Sequence, residues 1–347
     1  MADKITTDVV IVGAGPVGLF AVFELGLHGL SVHVIDILGR AGGQCSELYP
    51  DKPIYDIPAL AVVSGQELTD NLLKQIEPFS PTFHFNQMAE KLEKSGDDWQ
   101  LTTDSGQVFE SKIVVIAAGG GSFQPKKPNI DGIENFEGKG VSYAVRDIKQ
   151  YDGKKILVAG GGDSALDWVL NLADRVESLA LVHRRREFRA APASVKKLEE
   201  LIDAGKINFY LGNPIKLLGG EHLEGVVVDN EGKTETIAVE YFLPFYGLSM
   251  KLGPLDQWGL DLGKGDNNPA DKNLILVDTE HFRTNLAGVY AVGDINYYHG
   301  KLKLILSGFH EAALMAISAK RFLSPEQRVT MQYTTSSTKL QKLLKVV

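Results

Sequence analysis

Thr7-Asp8-Val9-Val10-Ile11-Val12-Gly13-Ala14-Gly15-Pro16-Val17-Gly18 is the stretch whose reading sets the fold. Its first half is β-branched and apolar without alternation, as a strand buried on both faces of a parallel sheet requires. Gly13 permits a tight turn, Gly15 lets a pyrophosphate approach the backbone, and Gly18 lets the following helix pack close to the strand. That helix is expected from about Val17 to Leu27, with free N–H groups and a positive dipole end directed at phosphate. The next strand, Gly29 to Asp36, ends in an acid eighteen residues past Gly18. A dinucleotide fingerprint places a ribose-binding carboxylate there, whereas the plainer alternative is a surface aspartate at a strand end.

The pattern returns in mid-chain. Lys155 to Ala159 reads as a strand, Gly160-Gly161-Gly162-Asp163-Ser164-Ala165 as a G-x-G-x-x-A turn, and Asp163 to Leu172 as a helix. The strand that follows, Ser178 to Val182, has no terminal acid. His183-Arg184-Arg185-Arg186-Glu187-Phe188-Arg189 stands there instead. An acid would select NAD, whereas the guanidinium groups of Arg184, Arg185 and Arg189 accommodate the 2′-phosphate of NADP. The alternative is a solvated basic turn ahead of a helix from Pro192 to Ala204. Two fingerprints, each between a strand and a helix, point to two dinucleotides held at once. The first site has the further marks of FAD. Gly42-Gly43-Gln44 follows Asp36 closely, and Gly288 to Asp294 reads as a strand ending in Gly293-Asp294, where a carboxylate can bind a polyol. An ordinary turn explains Gly293-Asp294 equally well. A helix from about Ser307 to Phe322 would then aim its N-terminus at a flavin ring.

With 347 residues the chain can build two domains, and 44% hydrophobic with 23% charged residues is ordinary for a globular protein. A net charge of −8 argues against nucleic acid as the partner. Val9 to Val22 is apolar but broken by Gly13, Gly15, Pro16 and Gly18, so it reads as strand and turn rather than as a leader or a membrane span. No membrane insertion and a cytoplasmic setting are expected. Cys45 is the only cysteine, so no disulfide relay can be written within the chain. It reads as a small packing residue, with a reactive thiol as the alternative.

In this order the motifs resemble the thioredoxin-reductase-like two-dinucleotide flavoproteins, from Gly13 to Phe322. The resemblance rests on GAGPVG, GGQ, VVIAAGG, GGGDSA, HRRREFRA and GVYAVGDI. It implies an α/β fold of two Rossmann-like, three-layer domains. The NADP domain (119–249) is inserted into a discontinuous FAD domain (1–118 and 250–324), and 325–347 form a C-terminal extension. Gly119 to Gly121 and Gly247 are the expected hinge points. Thioredoxin reductases carry a Cys-x-x-Cys pair before the second fingerprint; here Val141-Ser142-Tyr143-Ala144-Val145-Arg146-Asp147 stands in its place.

The whole chain is more closely similar to the thioredoxin-reductase-like ferredoxin/flavodoxin–NADP⁺ oxidoreductases. The matching stretches are Leu48-Tyr49-Pro50, Ile54-Tyr55-Asp56, Gly119-Gly120-Gly121-Ser122-Phe123 and the tail after Pro325. This resemblance implies a homodimer in which Tyr49 stacks on one face of the isoalloxazine and Tyr333, from the other subunit, covers the opposite face. It also implies flavin contacts from Ala89, Phe123 and Thr335, beside the FAD-site residues Gln44 and Asp294 already read from the motifs. The implied reaction is that of a ferredoxin–NADP⁺ reductase: a hydride from NADPH to FAD, then two single-electron transfers to ferredoxin or flavodoxin. No side-chain acid or base is needed, and His299, His310 and Glu311 are given no catalytic role. An NADPH oxidase or quinone reductase and a nucleotide-sensing flavoprotein are the alternatives. An acidic carrier would need a local basic patch, for which Lys126/Lys127, Lys301/Lys303 and the tail lysines are the candidates. In the tail, Leu340, Leu343, Leu344 and Val347 share one helical face, to be laid against a partner subunit or against the chain's own domain.

Overall fold

The computed structural model describes residues 4–121, 124–145, 147–249, 251–264, 273–329, 333–344 and 346. The chain forms two compact units. One is made of Met1–Ser122 with Met250–Val347, and the other of Phe123–Ser249.

In the first unit five parallel strands run in the order Val289–Ala291, Ile113–Ile116, Val9–Val12, Val32–Ile35, Thr82–His84. The opening strand is thus flanked by the second strand in sequence on one side and the fourth on the other. The crevice outside the carboxyl ends of such a reversal is where α/β sheets bind ligands. All four residues of Val9–Val12 are buried, and so are all four of Ile113–Ile116, which accounts for their unbroken apolar sequence. Alternate residues face opposite layers. Val9, Ile11, Val34 and Val115 pack with Leu19, Val22, Leu72 and Met315 of three helices, Pro16–Leu27, Gly65–Ile76 and Ile305–Leu323. Val10, Val12, Val114 and Ile116 pack with Leu92, Trp99, Leu101 and Phe109 of a second sheet. That sheet holds Ile5–Thr6, Val108–Ser111, Asp98–Thr103 and Ala89–Ser95. The result is three layers, helices, parallel sheet and β-meander.

The second unit repeats the plan. Tyr241–Pro244, Lys155–Ala159, Ser178–His183 and the first residues of Asn208–Gly219 are parallel. Asn208–Gly219 then shifts register between Pro214 and Lys216 while pairing antiparallel with Leu223–Asn230, which pairs in turn with Lys233–Ala238. A bulge of this kind bends a strand, and one strand here serves two layers. Leu157, Ala159, Ala180 and Val182 of the parallel part pack with Leu217, Leu223, Val226 and Val228 of the antiparallel part. Helices Asp163–Leu172 and Pro192–Asp203 pack on each other. The chain enters and leaves this unit side by side, Gln124–Pro125 pairing antiparallel with Leu248–Ser249. No described helix is long and apolar enough to cross a membrane.

A histidine pair lies between the sheets of the first unit. His33 Nδ1 is 2.9 Å from His84 Nε2, the rings are stacked 17° from parallel, and Phe109 presents an edge to both. One proton satisfies that contact between two neutral rings, and a second would set donor against donor across it. Burial holds both histidines below the ordinary value, and for His84 the charge of His33 adds to it. The unfolded chain therefore takes up protons first, so stability falls as pH drops below about 6.5, the unfolded histidine value. His84→Phe is expected to flatten this fall between about pH 7.5 and 5.5. Thermal unfolding across that range checks it, and parallel curves for the two proteins would contradict it.

Candidate functional site

In the first unit the glycine turn is held by backbone contacts that no side chain could occupy. Gly13 has φ +110°, and a Cβ there would strike the carbonyl oxygen of Ala117. A Cβ on Gly18 would strike the carbonyl oxygen of Gly13, so the first turn of the helix lies directly on the loop. Gly15 differs. It has an ordinary φ of −70°, and the protein puts no atom within 4 Å of a Cβ built there. Pro16 occupies N1 of the helix, whose missing N–H costs nothing at that position, and no side chain caps the helix. A bare helix N-terminus beside a glycine is a phosphate cradle.

Asp36 closes the turn. It is 8% exposed, with Oδ2 accepting the Ala14 N–H at 2.6 Å and Oδ1 accepting the Leu38 N–H at 2.8 Å. Burial raises its carboxyl above the usual range, and the two N–H donors oppose that rise. The carboxylate therefore anchors the loop as well as standing at the strand end, and each oxygen keeps a lone pair for another donor. Gly42, at φ +113°, donates its N–H to Ala14 O at 2.8 Å. A Cβ on Gly43 would come within 3.0 Å of Gly15 Cα. The Gly42-Gly43 segment thus abuts the cradle, and Gln44 follows with its Nε2 3.7 Å from where Gly119 would carry a Cβ.

Beyond Gln44, the buried Cys45 donates its S–H to Tyr49 Oη at 3.8 Å. Burial pushes the thiol up to about 11, the Tyr49 hydroxyl opposing and the charge of Asp294 adding to it. Burial, then Cys45 and Asp294, raise Tyr49 well above the ordinary phenol value. Cys45, Tyr49 and Asp294 are therefore electrostatic neighbours, and the thiol is a packed, protonated group at neutral pH. Ala89 puts its side chain into the core of the β-meander. Tyr333 is 66% exposed and Thr335 is exposed, on the turn that precedes the Thr338–Leu343 helix. Leu340 of that helix is only 3% exposed, so this residue packs on its own chain. Phe123 lies outside the described residues.

One expectation is corrected. Lys301 is no surface charge for docking: it is 7% exposed, with Nζ on the carboxylate of the fully buried Glu311 and 3.0 Å from Gly293 O. The helix bearing Glu311 begins at Ile305, two residues before the expected Ser307.

In the second unit Gly160 has φ +147°, and a Cβ there would meet Phe245 O at 2.5 Å and Ala165 Cβ at 2.9 Å. Ala165, third of the fingerprint residues, fills the gap that a glycine would leave. Gly161 is hemmed in by a side chain instead of by backbone: a Cβ there would enter the imidazole of His183, which itself stacks on Phe188 at 5.4 Å. The sequence gives no sign of that contact, since twenty-two residues separate ring and glycine. The arginine segment folds over the turn: Arg189 donates its N–H to Gly161 O at 2.7 Å, and Ala191 donates to Asp163 Oδ1 at 2.9 Å. Arg184, Arg185 and Arg189 are all exposed there. Burial lowers the His183 pKa, with the three arginines lowering it further and a hydrogen bond involving Glu187 opposing. Arg184 also acts on Tyr246, whose hydroxyl burial pushes up to about 12. A concentration of fixed positive charge beside an uncapped helix start (Gly162 N-cap, no side-chain cap) suits a phosphorylated ribose.

The family model described as pyridine nucleotide-disulphide oxidoreductase matches residues 7–316. The chain belongs to that family. Among its relatives, the ferredoxin–NADP reductase of Parvibaculum lavamentivorans is 58% identical over 99% of both chains. That of Beijerinckia indica is 56% identical over 100% of both. The crystal structure of Lactococcus lactis thioredoxin reductase matches with a TM-score of 0.75 at 26% identity, covering 92% of this chain and 99% of that one. The two-unit α/β fold expected from the motifs is thus the fold found. The disulphide chemistry in the family description has no counterpart here, where the single cysteine is buried.

Proposed function

We propose that this protein is an FAD-dependent oxidoreductase that carries electrons between NADPH and ferredoxin, with flavodoxin as a second carrier. The observation that carries the reading is the pair of unlike cradles in a chain with one cysteine. One turn is closed by the buried Asp36 and the other is overlain by the exposed Arg184, Arg185 and Arg189. The full-length relatives named ferredoxin–NADP reductase support it.

The first unit fits FAD. Gly13, Gly15, Gly18 and the helix N-terminus take the pyrophosphate, Asp36 the ribose, Asp294 the polyol, and Gln44, Tyr49, Ala89 and Thr335 the flavin side. The second unit takes NADPH on Gly160 and Gly162, with the three arginines on the 2′-phosphate. Flavin held by these residues would supply the chemistry that no side chain here can, two-electron exchange with a nicotinamide and one-electron exchange with a carrier. The chain's own groups position and exclude. The Asp36 carboxylate rejects a 2′-phosphate from the first site by like charge. Cys45, buried and protonated, offers no thiolate to divert electrons. A cytoplasmic homodimer belongs to the proposal, supported by the exposure of Tyr333, an aromatic free to meet a second subunit.

The test is NADPH-driven reduction of cytochrome c by the FAD-loaded protein, with and without ferredoxin. Ferredoxin is expected to raise the rate at least about tenfold, since a carrier that docks replaces random encounter. An unchanged rate would remove ferredoxin as the partner.

A further inference from the structure

The interior of the Ile305–Leu323 helix carries a carboxylate where the packing calls for an apolar residue. Glu311 is 0% exposed, among buried Ala312, Met315 and Ala316. All of its hydrogen-bonding capacity is directed at one turn. Oε2 accepts the N–H of Gly293 at 2.7 Å and Nδ2 of Asn296 at 2.8 Å, while Oε1 accepts the Tyr298 hydroxyl at 3.1 Å and the Lys301 ammonium. Lys301 Nζ reaches past that carboxylate to the carbonyl oxygen of Gly293 at 3.0 Å, with the Tyr298 ring 5.4 Å away. Both backbone polar groups of Gly293, a residue at φ +80°, are therefore held by the two members of one buried ion pair. Asp294 is the next residue.

A buried ion pair is a poor source of stability, because desolvating two charges offsets most of their attraction, and apolar replacements of like volume are often neutral or better. What it supplies is geometry. Two charge-assisted bonds on a single glycine fix the peptide planes on either side of it, Glu311 holding the one that enters Gly293 and Lys301 the one that leads into Asp294. Asn296 ties down the far end of the same turn. Building on the FAD reading of Asp294, we infer that Lys301 and Glu311 are a positioning pair that sets the Asp294 carboxylate for the polyol chain of the flavin cofactor.

The decisive variant is K301M/E311L, which leaves no lone charge buried and so keeps the fold, with E311Q and D294A as partners. Thermal unfolding of the apoproteins reports the structural cost, FAD titration of the same apoproteins reports positioning, and NADP⁺ binding serves as the control. Expected are an unfolding temperature within a few degrees of the parent, FAD affinity at least about tenfold weaker, and NADP⁺ affinity unchanged. The loss should also be absorbed by the partner, D294A/E311Q binding FAD no more weakly than D294A alone, as coupled residues do. Parent-like FAD affinity in K301M/E311L, or losses that add to that of D294A, would overturn the inference. If E311Q fails to fold, the double apolar variant still decides. Were D294A itself to bind FAD like the parent, the FAD assignment of Asp294 would fall instead, an outcome separate from either of the others.

Discussion

Replacing Arg184, Arg185 and Arg189 together by alanine is expected to raise the KM for NADPH by about 10- to 100-fold and to leave kcat at saturation within about twofold. The three side chains are exposed, and charges in that setting contribute little to stability. The change should therefore leave the fold intact. A guanidinium–phosphate pair is worth about 1.5–3 kcal/mol, or roughly one to two decades in affinity, and losing several contacts to one phosphate is less than additive. NADH lacks that phosphate, so its kinetics should change little. Steady-state rates with both nucleotides give the answer. An equal loss with NADH would mean that the segment shapes the site in general and does not read the 2′-phosphate.

The second large effect separates two glycines of one fingerprint. Gly18→Val is expected to destabilise the first unit by about 3 kcal/mol or more, because the new side chain meets the carbonyl oxygen of Gly13, which is backbone and cannot swing away. Gly15→Ala is expected to leave the apoprotein's unfolding temperature within about 2 °C, since its φ is ordinary and its Cβ meets nothing of the protein. Its cost should appear in FAD affinity, lowered about tenfold or more where the added methyl keeps phosphate from the helix N-terminus. Calorimetry of the apoproteins and flavin titration distinguish the two. A Gly15→Ala protein that binds FAD as the parent does would move the pyrophosphate away from this turn.

The architecture was legible where physical necessity is local. A β-branched run buried on both faces, a turn that tolerates only glycine and a helix beginning beside it are adjacent in sequence, so each fingerprint announced its own unit. The helix read as Asp163 to Leu172 has those bounds, and the one read from Val17 begins one residue earlier because Pro16 fits N1. What escaped depends on contacts between different elements of the fold. Lys301 in His299-Gly300-Lys301-Leu302-Lys303 looks like solvated surface, since its partner is Glu311, on the next helix. Glu311 interrupts the apolar face of its helix, but the sequence does not say which cation neutralises it, because an ion pair across two elements leaves no pattern. The closeness of Gly161 to the His183 ring comes from the neighbouring strand, and the meeting of His33 with His84 comes from strand register. The bend within Asn208–Gly219 was likewise hidden, because its bulge answers to the layer beneath it.

Cys45 has a meaning for the conditions under which electrons flow. With a thiol pushed up to about 11, only about one molecule in ten thousand carries a thiolate at pH 7. It is the thiolate that attacks peroxides and other electrophiles, so the chain's only sulfhydryl reacts with them slowly. A reductase that works through a cysteine pair stalls when a sulfur is oxidised past the disulfide, to the sulfinic or sulfonic acid. This chain has no cysteine pair to lose in that way, and its one thiol is buried and protonated.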